Sequence, residues 1–273
     1  MSTTRTPSMT TAFGSVRSLQ RGLAILQAVN QHHGMRSAEV AKVVGVPRPT
    51  AYRLLETLET LGFVIKGASD ETWRPTLYAK TLSSGYRDED WVVQAAMPEM
   101  VKLGRRILWP VDLLTFYDHE MEVRASTHNI SPFSVDHGML GRRLPVMETA
   151  SGRAYLAFCS DTERRQIIRG LRQKNLLHAG TMMPDGPLAQ IIKRTRELGV
   201  GYRCSGFNEH TMSISAPIFR DGGPVAALSI IWIASAMTFK SALAEYHEAL
   251  TNTATTISQH VSVPSPRFES EFD

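Results

Sequence analysis

Cysteine is scarce, a long apolar run is missing, and no segment repeats. Cys159 and Cys204 are the only cysteines. Two cannot build a disulfide framework, and without C-x-x-C spacing they form no thiol metal motif, so a reducing, cytoplasmic setting and a metal-free, cofactor-free fold are the expectation. The longest greasy stretch, Pro224 to Met237, falls short of the roughly 20 residues that a membrane helix requires. The Thr- and Ser-rich start, Met1 to Ser15, holds no signal-peptide core. Neither a secreted nor a membrane-spanning chain is expected. What is present is an ordinary globular composition, 42% hydrophobic and 21% charged over 273 residues, which excludes a disordered or fibrous chain and sets about two domains.

The charge is divided unevenly. Up to residue 80 ten Lys and Arg face five Asp and Glu, a net +5, whereas the remainder has 20 against 21, a net −1. A basic domain joined to a near-neutral one suits a nucleic-acid binder with a separate second function, because phosphate contacts need cations on one body only. The alternative is an uneven but merely solvated surface.

Order should begin near Val16 after a disordered tail, residues 1–15. Leu19, Leu23 and Leu26 recur at helical spacing, with Ile25 on a flank, and predict an amphipathic helix from Ser18 to Gln31. Arg17 and Arg21 near its start oppose the helix dipole, a small cost that an anion such as backbone phosphate would offset. From Ser37 to Val64 the chain reads SAEVAKVVGVPRPTAYRLLETLETLGFV. Ser37 caps a short helix with Val40, Ala41 and Val44 on one edge, Gly45 ends it, and Gly45-Val46-Pro47 turns the chain. A second helix runs from Thr50 to Leu61 with a stripe of Leu54, Leu58 and Leu61, while Arg48, Thr50, Tyr52 and Arg53 fall on its open N-terminal face. Two short helices joined this way describe a helix-turn-helix. Phe63 to Lys66, a Gly67–Glu71 turn and Thr72 to Pro75 add a hairpin wing, with Lys66 and Arg74 as phosphate contacts.

Beyond residue 76 a connecting helix is expected to about Gly85, then a longer helix from Trp91 to Leu108 despite Pro98. Strands are read at Val111–Tyr117, Glu122–Thr127, Ser213–Phe219 and Val225–Ile233, and helices at Gly152–Phe158, Asp161–Leu171, Pro187–Leu198 and Phe239–His260. The division is then a 16–75 winged helix-turn-helix, a 76–90 linker helix, a 91–262 sheet domain and a 263–273 flexible tail, an α+β or mixed chain.

Several segments together resemble the IclR-type (isocitrate lyase regulator) transcription factors over nearly the whole chain. They are Arg17-Ser18-Leu19-Gln20-Arg21-Gly22-Leu23, Tyr52 to Leu58 with Gly62-Phe63-Val64, Thr149-Ala150-Ser151-Gly152, Leu198 to Tyr202, and Ile214-Ser215-Ala216-Pro217-Ile218. Within that family the chain is most similar to a phenylpropionate-catabolism regulator, through Gly85 to Glu89, Trp109-Pro110-Val111, Gly141 to Pro145, Leu156 to Cys159 and Ala234 to Thr238. The resemblance implies a C-terminal effector-binding domain of GAF-like, profilin-like topology, a homodimer or dimer of dimers, operator DNA, and a small aromatic acid as effector, with a non-aromatic carboxylate as the alternative. It also places the pocket among the Gly141–Ala150 segment, including Thr149 and Ala150, the Asn208–Ser213 segment and the strand bearing Ser229. The acidic run usual before the Ser-Ala-Pro strand is reduced here to Asn208-Glu209-His210, which puts polar contacts from that loop in doubt.

Gly141 to Gly152 carries small residues beside a helix start near Gly152, where exposed N–H groups receive a carboxylate; the bland reading is glycine serving only the turn. Met139, Leu140, Leu144 and Met147 offer an apolar wall, and Phe116, Phe133 and Trp232 an aromatic surface. Ser151 lacks a G-x-S-x-G elbow and neither cysteine has an assigned His partner, so an enzyme is not expected. His119, Glu120, His128, Asp136 and His137 cluster in sequence without helix-face metal spacing. The rivals are a small-molecule enzyme with an accessory domain and a protein adaptor, separable from a DNA binder by salt dependence.

Overall fold

The structure is a computed structural model that describes residues 16–32, 34–82, 91–136, 138–177 and 186–262. Both expected tails, His137 and the Gly85–Glu89 segment therefore lie outside the described residues. The chain divides into two compact units, Met1–Tyr86 and Arg87–Asp273.

In the first unit α1 (Arg17–Asn30), α2 (Ser37–Val44) and α3 (Arg48–Thr60) precede a hairpin of β1 (Val64–Lys66) and β2 (Trp73–Pro75). Gly45 has φ +69°, the left-handed conformation that only glycine adopts without a Cβ penalty, and Val46 N–H closes the turn on the Ala41 carbonyl at 3.0 Å. Pro49 stands at the second position of α3, where a missing N–H costs nothing. Ser37 is the first residue of α2 rather than its cap. The capping position is Arg36, whose N–H donates to the Glu39 carboxylate at 2.7 Å.

The apolar stripes lie elsewhere than the spacing predicts. Ile25, Leu26, Ala28 and Val29 are buried against Met35, Val40, Ala51, Leu55, Val64 and Trp73, whereas Leu19 and Leu23 are exposed. Leu61 is exposed too. The core forms where three helices and the wing converge, and the first turns of α1 lie beyond it. Of the expected linker helix, Leu77–Leu82 forms a short 3-10 helix; residues 83–90 lie outside the described residues.

The second unit is one six-stranded sheet, all antiparallel, ordered β5-β4-β3-β8-β7-β6. Its strands are β3 (Val111–Tyr117), β4 (Glu120–Ser126), β5 (Arg143–Pro145), β6 (Gly201–Arg203), β7 (Thr211–Arg220) and β8 (Gly223–Ile233). β5 and β6 were not legible as strands. α4 (Trp91–Ile107) and α8 (Phe239–Ser262) cover one face, over a core containing Leu113, Ile214, Leu228, Ile230 and Trp232. On the other face α5 (Ala150–Phe158), with α6 (Asp161–Gln173) and α7 (Pro187–Leu198) beyond it, packs on Leu114, Met121, Val123 and Ala227. This is the mixed α+β architecture that the sequence predicts.

Candidate effector cavity and DNA-reading surface

Strand alternation explains the cavity. On β7 the residues Ile214, Ala216 and Ile218 join the large core, so Thr211, Ser213 and Ser215 face the α5 side. All three are at most 5% exposed. Asp112 of β3 is directly opposite Ser229 of β8, and Ser229 is opposite Ser215. A covered sheet face therefore carries a row of hydroxyls and a carboxylate, which close apolar packing would strand. A cavity of about 320 Å³ opens there.

Its wall includes Asp112, Leu114, His128, Asp136, Met139, Arg142, Leu144, Thr149, Ala150, Ser151, Arg203, Phe207, Asn208, Thr211, Ser213, Ser229 and Ile231. The structure thus brings together seven expected pocket residues: Met139, Leu144, Thr149, Ala150, Asn208, Ser213 and Ser229. Gly141, Met147 and Gly152 do not line it. Gly141 serves a turn at φ +74° with open space around it. A Cβ on Gly152 would stand 2.0 Å from the Val146 carbonyl oxygen, so glycine there allows α5 to rest on backbone. Met147 packs against the smaller core.

The expected aromatic surface is also placed differently. Phe116 stacks on Tyr155 with centroids 4.9 Å apart, Phe133 lies 5.0 Å from Trp109, and Trp232 belongs to the opposite core. The aromatic lining residue is Phe207. His128 and Asp136, noted in the sequence only as members of a cluster without metal spacing, are cavity residues, and among the described residues no three His, Cys, Asp or Glu side chains converge as a metal site.

Two features make the cavity receptive to an anion. α5 begins at its edge: Thr149 Oγ1 accepts the Gly152 N–H at 3.2 Å, and Arg153 N–H reaches the Thr149 carbonyl. The amides of Ala150 and Ser151 have no backbone acceptor among the described residues, and they lie at the positive end of the helix dipole. The second feature is Arg203, 5% exposed. Its guanidinium donates to the carbonyls of Phe207 (2.8 Å), Asn208 (2.8 Å) and Thr211 (2.5 Å) and to Thr211 Oγ1 (2.8 Å). These are neutral acceptors. Burial, with Arg153 nearby, pushes its pKa below the ordinary arginine range, and Asp136 attracts it only from beyond ion-pair distance. Arg203 also holds the short Asn208-Glu209-His210 loop in place, a role that its charged character gave no hint of.

The DNA-reading candidates all belong to the first unit. Arg17, Arg21, Arg48, Tyr52 and Arg53 are exposed, and Ser37 and Thr50 half-buried. Arg36, Ser37, Arg48, Tyr52, Arg53 and Lys66 border one groove between the two helices and the wing. Lys66 pairs with Glu71 at 3.3 Å and lies 6.0 Å above the Tyr52 ring. Arg74 is paired with Asp70, and Asp70 also accepts the Thr72 N–H at 3.1 Å. That arginine helps to shape the wing turn, which the sequence reading had not foreseen.

The sequence profile described as bacterial transcriptional regulator IclR C-terminal matches residues 92–259, and the IclR helix-turn-helix domain profile matches 18–66. The HTH-type transcriptional regulator KdgR of Escherichia coli (strain K12) is 28% identical over 223 residues, covering 79% of this chain and 82% of its own. The transcriptional repressor IclR of the same organism is 29% identical over 245 residues, covering 79% and 86%. Among solved structures, an IclR homolog from Microbacterium hydrocarbonoxydans complexed with 4-hydroxybenzoate superimposes with a TM-score of 0.55 at 18% identity, covering 89% of this chain and 98% of its own.

Proposed function

The chain belongs to the IclR family of bacterial transcriptional regulators, and from that premise we propose that it controls an aromatic-catabolic operon in response to a small aromatic acid. As a family member it is a DNA-binding regulator. The observation that carries the effector reading is Arg203, a buried cation with only neutral acceptors, lining the same cavity as Ala150 and Ser151 at the start of α5. A carboxylate supplies what both lack. Leu114, Met139, Leu144, Phe207 and Ile231 offer apolar contact for a ring. The 4-hydroxybenzoate held by the Microbacterium relative supports the same class.

A second reading has its own observation. The hydroxyls of Thr211, Ser213 and Ser229 on the wall also suit a non-aromatic carboxylate. On the DNA side, Arg48, Thr50, Tyr52 and Arg53 read the major groove while Arg17, Arg21, Lys66 and Ser37 meet phosphates. Arg74 supports the wing and contacts backbone there. Exposed Val16 just before α1, Leu19 and Leu23 on it, and Leu77 and Leu82 offer a second copy apolar contacts for a dimer.

Thermal unfolding of the full chain with a panel of carboxylic acids tests this. An aromatic acid should raise Tm, and Arg203→Met should remove the rise while binding to DNA selected from random sequence persists. No rise with any acid, or an unchanged rise in Arg203→Met, refutes the effector reading; a rise with aliphatic acids alone selects the second one.

A further inference from the structure

The same cavity holds a pair that a carboxylate does not explain. Asp112 and His128 both line it, with side chains 3% and 5% exposed. Asp112 Oδ2 lies 3.6 Å from His128 Nε2, too long for a hydrogen bond. Asp112 Oδ1 and His128 Nε2 are buried without any hydrogen-bond partner. The neighbouring hydroxyls do not help, because Ser229 Oγ donates to Ser215 Oγ at 2.9 Å and Ser215 Oγ donates to the Leu228 carbonyl at 3.1 Å.

The hydrogen-bond chain on the other edge of the imidazole fixes which nitrogen carries the proton. Ser134 Oγ donates to the Asp136 carbonyl at 2.9 Å, so it must accept at its 2.7 Å contact with His128 Nδ1. Nδ1 therefore carries a proton, and in the neutral form of the ring Nε2 presents a lone pair toward the Asp112 carboxylate. Asp112 Oδ1 and that Nε2 are then two buried acceptors that no protein donor satisfies, an unfavourable arrangement for each. A doubly protonated ring would ease the Nε2 contact and still leave Oδ1 unpaired.

We propose that Asp112 and His128 read hydroxyl groups carried by the effector at the end away from its carboxylate, with a vicinal pair of hydroxyls satisfying both acceptors at once. The inference rests on the acid reading above. Strand order supports the two-ended arrangement: Arg203 stands on edge strand β6 and Asp112 on β3, three strand spacings apart, or roughly 14 Å between backbones. With the carboxylate at Arg203 and the α5 amides, the opposite end of a phenyl-bearing acid reaches the β3 side.

Calorimetric titration of the full chain tests it with phenylpropionate, its meta-hydroxyl derivative and its catechol derivative, and with hexanoate and ω-hydroxyhexanoate. The wild type should bind a hydroxylated acid about tenfold or more tighter than the same acid without hydroxyls, since stranded site groups reject an analogue that cannot satisfy them. Asp112→Leu and His128→Phe should each bring that ratio near one. Asp112→Asn, which keeps the shape and swaps an acceptor for a donor, makes the same point if the leucine variant fails to fold. Equal wild-type affinity within both acid pairs, or a preference that survives these substitutions, overturns the proposal and leaves the acid reading intact. A hydroxyl preference within the aliphatic pair alone upholds the role of Asp112 and His128 and sinks the aromatic reading. Binding of no acid of either kind overturns both.

Discussion

Gly152→Ala isolates the seating of α5 from every charged group in the cavity. The added Cβ would lie 2.0 Å from Val146 O and 2.6 Å from Val146 C and Cα, where ordinary contact begins at 3.4 Å. Helix and loop must therefore part by roughly 1.4 Å, and because the obstacle is backbone no rotamer change relieves it. Overpacking of this kind costs about 1 to 3 kcal/mol. The gain in helix propensity from Gly to Ala, at most about 1 kcal/mol, is the smaller effect. A net loss of about 1 to 2 kcal/mol should lower Tm by roughly 2 to 8 °C for a unit of this size. The same shift moves the Ala150 and Ser151 amides, so the rise of Tm with the best-binding acid should shrink at least several-fold. Gly141→Ala is the control: it meets nothing within 4 Å, but its φ of +74° costs a non-glycine residue about 1 to 2 kcal/mol, so it should lower Tm and keep the acid response. Thermal unfolding of both variants with and without acid reads the difference. Wild-type Tm and response in Gly152→Ala, or loss of response in Gly141→Ala, would refute the reasoning.

The DNA surface makes its own prediction through salt. Log affinity should fall with log salt, and Lys66→Ala should reduce that slope by about one, whereas Arg53→Ala should cost about 1 to 3 kcal/mol on selected DNA and much less on random DNA. Salt-independent binding, measured by fluorescence anisotropy, would favour a protein adaptor instead. Alkali should act on the smaller core. Burial, then Glu163, pushes the Cys159 thiol up to about 11, and burial with the Glu163 hydrogen bond raises the Tyr155 phenol. Each raised pKa stabilises the fold fully below the unfolded value, about 9 for the thiol, and that contribution is lost as pH climbs through the folded one. Tm should therefore fall between pH 9 and 11, less steeply in Cys159→Ala, and maleimide should label Cys159 only on unfolding; rapid labelling of the folded chain contradicts this.

The helix-turn-helix was legible because its signals are local. Gly45 supplies a positive φ and Pro49 a helix start, and neither depends on distant packing. The buried face of α1 was not, since Leu19, Leu23 and Leu26 satisfy the helical period as well as Ile25, Leu26 and Val29 do. Only the position of α2, α3 and the wing decides between them. The four longer strands announced themselves by apolar alternation, and three-residue β5 and β6 are too short to alternate. Near the Gly141–Gly152 segment the pocket was partly visible, but Arg203 and Asp112 look in sequence like any scattered charged residues, and the cluster holding His128 carried no sign of a cavity. Their signal was available one strand away, in Thr211, Ser213 and Ser215 alternating with Met212, Ile214 and Ala216 on a strand too apolar to face water.

That alternation also says why the cavity is there at all. Valine at the serine positions would let α5 close on the sheet as α4 and α8 close on the other face, with better packing and no hydroxyl to satisfy. The chain keeps serines at 213, 215 and 229, a carboxylate at 112 and a guanidinium at 203, all at most 5% exposed. It completes only part of their hydrogen bonding internally. Ser215 and Ser229 bond to each other and Arg203 to its loop, while Asp112 Oδ1, His128 Nε2 and the α5 amides remain open. The satisfied groups fix the shape of the wall, and in the proposed reading the open ones take an anion at the start of α5 and hydrogen-bond donors at Asp112 and His128. Two of the buried side-chain atoms left without a partner, Asp112 Oδ1 and His128 Nε2, belong to residues lining one cavity of about 320 Å³, while His119 Nδ1 and Thr195 Oγ1 are stranded away from it; that volume is at the low end of the size range for a small-molecule site.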